Sequence, residues 1–181
     1  METNAKIVKI VPGYANIVIR AFDGTTVITE ASGTFKSNID CDVIEFGLDA
    51  KSSPTKETKA SIYQVITEGT FMQIFTSINK DLDKIVLTMS QIIDFCHKNP
   101  ELIAREGYGL FFLTSKRIKR NFIKNILNFL FFHEANRQYF VARAYAGTEG
   151  LGFTVYRLLS KDGAIWPLDK NLLVVCPENV S

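Results

Sequence analysis

Hydrophobic positions along the first third of the chain run in short β-branched stretches, and in the middle they change to a spacing of three to four residues. Lys6 to Val11 is rich in β-branched residues, which suit a pleated backbone, and it stops at the turn pair Pro12-Gly13. Asn16 to Phe22 predicts a second strand. Asp23-Gly24 suits the positive φ angles of a two-residue hairpin, and Thr25 to Glu30 supplies the returning strand. Asp40 to Phe46 predicts a fourth. Together these predict an N-terminal antiparallel β meander.

Asp49 to Lys59 has Ala50 as its one aliphatic side chain and otherwise holds Ser, Pro, Thr and charged residues. Such a stretch buries too little surface to offset its ordering entropy, so 49–59 is expected to be a loop or hinge. Helical spacing follows. Ile62, Val65, Ile66, Met72, Phe75 and Ile78 follow a helical spacing, in a segment that Gly69 can bend or split. Leu82, Ile85, Val86, Met89, Ile92, Ile93 and Cys96 share one face of another helix, with Asp81 and Asp83 at the positive end of its dipole. Asn99-Pro100 opens a short helix that Gly107 stops. Tyr108 to Leu113 predicts a buried strand, and Ser115 to about Asn136 predicts a helix with basic first turns and an apolar remainder. Tyr139 to Tyr145, Phe153 to Leu159, Ala164 to Trp166 and Leu172 to Cys176 predict a second β region. Strands do not alternate regularly with helices, so the expected class is α+β: N-terminal antiparallel meander, central helices, C-terminal strands.

A length of 181 residues fits a single domain, 1–181, and the 46% apolar fraction fills a core without staples. Cys41, Cys96 and Cys176 are odd in number, form no CxxC pair and have apolar neighbours. They are expected to be reduced, packed thiols in a cytoplasmic protein. Met1-Glu2-Thr3-Asn4 has no basic region before an apolar one, so no secretion signal is expected. Phe122 to Phe132, interrupted by Lys124, Asn125 and Asn128, is too short to span a bilayer, so the chain is not expected to be transmembrane.

Candidate chemistry is sparse. His133-Glu134 begins a string like HExxH, but Arg137 stands where the second zinc ligand belongs. His97 falls near the end of a predicted helix, where a cation suits the dipole. Cys96 and His97 are adjacent on a helix and therefore point about 100° apart, which is unsuited to a dyad. No GxSxG elbow occurs. Asp40 and Asp42 would share one side of the predicted strand without further carboxylates to complete an oxygen cage. No metal and no cofactor are expected, and an enzyme is the less favoured reading.

Gly147, Gly150 and Gly152 follow a predicted strand, and if a helix opened at Phe153 their N–H groups would face a phosphate. In this the segment resembles the pyrophosphate loop of the acetyl-CoA-dependent N-acetyltransferases, which would imply an acyl-CoA-dependent transferase binding its cofactor through these glycines. The resemblance covers only 147–152, with Gly147 where that loop's Gln or Arg would stand. Thr154, Val155 and Tyr156 favour a strand and hence a hairpin loop.

Charge is informative locally. The net charge is only +2, yet residues 101–145 hold eight Lys or Arg against three acids. Lys116, Arg117, Lys119, Arg120 and Lys124 would crowd the first turns of the predicted helix, against its dipole. These five are the candidate partner-binding residues. They suit a non-enzymatic interaction protein (inhibitor, immunity-type or adaptor) that docks an acidic protein surface. A nucleic-acid-binding protein using the same cations is the alternative.

Overall fold

Seven strands form one mixed sheet in the computed structural model, which describes residues 7–103, 109–117, 137–159 and 172–178. They are β1 (Val8–Ile10), β2 (Ile17–Ile19), β3 (Thr58–Val65), β4 (Gly109–Arg117), β5 (Arg137–Gly147), β6 (Gly150–Arg157) and β7 (Leu172–Pro177). Their order is β1-β3-β7-β4-β5-β6, with β2 also on β3. All pairs are antiparallel except β4 with β7. Among the described residues three α-helices accompany the sheet: α1 (Asp42–Glu45), α2 (Phe71–Ile78) and α3 (Met89–Lys98). The protein is α+β, with N-terminal strands, central helices and C-terminal strands.

Alternation across the pleat sends neighbouring side chains into two cores. Phe112, Phe140, Phe153, Ile62 and Val175 pack with Ile92, Phe95 and Cys96 of α3, Val43 of α1 and Ile28. Phe111, Leu113, Val141, Val174 and Val65 pack with Phe71, Ile74 and Phe75 of α2 and with Ile85. Residues 109–114 of β4 are buried on both faces, as expected of a strand at the centre of a covered sheet.

The N-terminal strands differ in detail from a meander. β1 and β2 do not pair with each other; both run along one edge of β3, at Val8↔Val65 and Ile19↔Thr58. The Pro12-Gly13 turn forms, with Tyr14 N–H donating to Val11, but it is a detour within one edge. Thr25–Glu30 contributes a 3-10 turn at Ile28–Glu30 in place of a returning strand, and Asp40–Phe46 contributes α1 in place of a strand. Ile62 and Val65 belong to β3, so the predicted 62–78 helix shortens to α2, started by the capping box of Thr70 and Gln73. The predicted 81–96 helix is split into a 3-10 turn, Leu82–Ile85, and α3, which Thr88 and Gln91 cap in the same way.

Ser115, Lys116 and Arg117 end β4 rather than open a helix, paired with Tyr139, Gln138 and Arg137. Ladder hydrogen bonds to β5 carry the strand past its apolar run. The remainder of that predicted helix, with Lys119, Arg120, Lys124 and His133-Glu134, lies outside the described residues, as does the predicted 164–166 strand.

Candidate functional site

A groove of about 390 Å3 opens where β4 ends. Three stretches wall it: the 47–55 loop, the Val86–Met89 segment entering α3, and Thr114–Arg117 with Arg137 across the ladder. The Val86–Met89 segment reaches this place because Val86 bridges Leu113 and Leu87 N–H donates to the Leu113 carbonyl, beside β4 and beyond the end of β7. Four cations line the groove, Lys51, Lys116, Arg117 and Arg137, and its described lining includes no Asp, Glu, His or Cys. Hydroxyls fill the spaces between them, from Ser52, Ser53, Thr55, Thr88, Thr114 and Ser115.

Each cation is placed by a local cause. Lys116 Nζ donates to the Phe46 carbonyl at the end of α1, at 3.1 Å. Side-chain ammonium groups commonly satisfy such terminal carbonyls, and this one retains two further N–H donors. Gly47 makes the approach possible, because a Cβ there would overlap the Lys116 ammonium. Its φ of +63° is a second reason for glycine, since L side chains crowd the backbone in the left-handed region. Arg117 and Arg137 stand directly opposite each other in the ladder, so their side chains share a face. Asp83 accepts from Arg137 at 3.0 Å and from the Tyr139 hydroxyl at 2.8 Å. Burial, then the bond to Asp83, push the Tyr139 phenol up to about 12. Arg117 is exposed and makes no ion pair among the described residues. The N-terminal end of α3 adds partial positive charge from the wall it forms.

Two of the five predicted contact residues, Lys116 and Arg117, therefore line this groove, from opposite faces of β4. Lys119, Arg120 and Lys124 are outside the described residues. Sequence reading missed Lys51 and Arg137 as partners of that pair. Only the hydroxyl-rich composition of 49–59 and the position of Arg137 just before a predicted strand hinted at them.

The other candidates have different surroundings. Gly147 and Gly150 pair across a two-residue turn, and β6 follows at Gly150, where the acyl-CoA reading needs a helix. Gly147 is small because the Ser37 hydroxyl lies where its Cβ would be. A second cleft of about 450 Å3 lies beside this hairpin, lined by Thr34, Lys36, His97, Gly147 and Gly150 among others. His97 is exposed in the last turn of α3, with Nδ1 3.3 Å from the Thr34 hydroxyl. Cys96 and Cys176 are buried, which pushes both thiols up, whereas Cys41 is exposed at the start of α1, contrary to the expectation of three packed thiols. Asp40 accepts from Thr154 Oγ1 at 2.6 Å and from Asp42 N–H at 3.1 Å, and these bonds hold its carboxyl below the ordinary range. Asp40 thus ties the start of α1 to β6. Asp40, Cys41 and Asp42 bring their ligand atoms within 4.8 Å of one another, on a helix start and not on the strand expected there.

No helix among the described residues is long and apolar enough to cross a membrane. No protein-family model, curated protein or solved structure matches the chain.

Proposed function

We propose that this protein is a binding module that docks an acidic protein surface against the groove at the end of β4. One observation carries the reading: four cations, from the 47–55 loop, β4 and β5, line one concavity whose described lining has no carboxylate. Isolated surface cations are ordinary, but four around one recess with low-dielectric walls focus the field on an incoming anion. Catalysis fits less well, because the described lining supplies no histidine, cysteine or carboxylate to move a proton. Single-stranded nucleic acid also fits less well, because the described lining offers no aromatic ring for a base to stack on.

The test is fluorescence anisotropy of the full chain with a labelled Glu-rich peptide and with single-stranded RNA of equal charge. The peptide should bind, with affinity falling as salt rises. Lys116→Ala with Arg117→Ala should weaken it by about tenfold or more, in keeping with the loss of two charge-assisted contacts. Equal binding by wild type and variant would end the proposal, and tighter binding of the RNA would transfer the groove to nucleic acid.

A further inference from the structure

We infer that the groove at the end of β4 is a phosphate-monoester site. This rests on the reading of the groove as the contact for an acidic partner, and it narrows that partner to a phosphorylated one. The first reason is the ladder position of the two arginines. Like charges directly opposite on neighbouring strands repel, yet Arg117 and Arg137 form such a pair. Asp83 compensates Arg137, and no described residue forms an ion pair with Arg117. A tetrahedral oxyanion between the two guanidinium groups would turn the repulsion into two charge-assisted contacts.

The second reason is the mixture of donors. A phosphate monoester presents three strong acceptor oxygens and close to two negative charges, against two oxygens and one charge for a carboxylate. Around the groove stand guanidinium, ammonium and hydroxyl donors, more than a carboxylate could use. Lys116 has N–H donors left over beside its bond to Phe46.

Backbone amide NMR of the full chain tests the inference with sodium phosphate, O-phosphoserine and sodium acetate at matched ionic strength. Phosphate and O-phosphoserine should give saturable shifts at Ser52, Ser53 and Thr114 to Arg117, with acetate about tenfold weaker. Lys116→Met with Arg117→Gln, both exposed positions, should lower phosphate affinity at least about tenfold while the melting temperature falls by no more than about 2 °C. A peptide with one phosphoserine then separates the sources. Tighter binding than free O-phosphoserine assigns the site to a phosphoprotein, and equal binding assigns it to a small phosphate ester. Equal shifts with acetate, shifts elsewhere, or undiminished binding by the double variant would each overturn the inference. If a Glu-rich peptide still binds in the groove with no preference for phosphate, only this inference falls; if neither anion binds, the acidic-partner reading falls with it.

Discussion

Gly47→Ala perturbs the backbone and the Lys116 ammonium together, and its cost can be worked from the geometry. At φ +63° an alanine is strained by about 1–1.5 kcal/mol relative to glycine. Its methyl would also occupy the position of Lys116 Nζ, which can swing into solvent but forfeits its bond to the Phe46 carbonyl. At an exposed site that bond contributes roughly 0.5 kcal/mol. The sum is about 2 kcal/mol, or a melting-temperature loss of about 4–8 °C for a chain of this size. Urea unfolding followed by circular dichroism measures it. Gly47→Asn separates the two causes, because asparagine tolerates the left-handed region while still displacing the ammonium. That variant should lose well under 1 kcal/mol of stability yet weaken anion binding in the groove as much as Gly47→Ala. In a Lys116→Met background only the backbone part should remain. A Gly47→Ala cost below about 0.5 kcal/mol in both backgrounds would refute the left-handed assignment, and unchanged anion affinity in Gly47→Asn would refute the place given to Lys116.

Thr70→Ala and Thr88→Ala each remove a capping box and should cost about 1 kcal/mol in chemical denaturation, with loss of helix signal at α2 or α3. Phe112→Ala empties a fully buried site beside Phe95, 5.7 Å away between ring centres, and should cost about 3–5 kcal/mol in the same assay. Of the three thiols, only Cys41 should react with a disulfide reagent in the native state, whereas Cys96 and Cys176 should react only on unfolding. Four described carboxyls are held below their ordinary values: Asp23 by Thr25, Asp40 by Thr154 and Asp42, Glu178 by Ser61 and Asn16, and Asp94 by Lys98 and Arg20, which outweigh the opposing effect of burial. The unfolded chain therefore takes up protons at higher pH than the native one. Their contribution is intact above the ordinary carboxyl values of 3.8 and 4.5 and is lost as pH falls through the lower native ones. Melting temperature should drop on that acid limb, and Asp94→Asn should make the drop shallower.

The α+β order and the strands β4 to β7 were legible because each is a run of β-branched or aromatic residues bounded by glycine, proline or charge. Ile62 and Val65 have the spacing of a helix for a physical reason. β3 is paired along both edges and covered on both faces, so its apolar residues need not alternate, and their spacing mimics a helical one. Ser115 to Arg117 carry polar side chains that suit a helix start, and only the ladder to β5, formed across many intervening residues, makes them strand. The groove was half legible. Lys116 and Arg117 announce themselves as a charge cluster, but Lys51 and Arg137 join them only when the chain folds, and no local pattern encodes that meeting.

The place of β7 has a consequence for how the molecule is made. This strand follows every other described strand in the chain, yet it sits between β3 and β4, and these two do not otherwise pair. As the protein emerges from the ribosome, the β1–β3 ladder and the β4–β6 ladder can each assemble, but both keep an open inner edge until Leu172 to Pro177 arrive. The final insertion closes both edges in one event, and a nascent or truncated chain lacking it would present two unpaired strand edges to its neighbours.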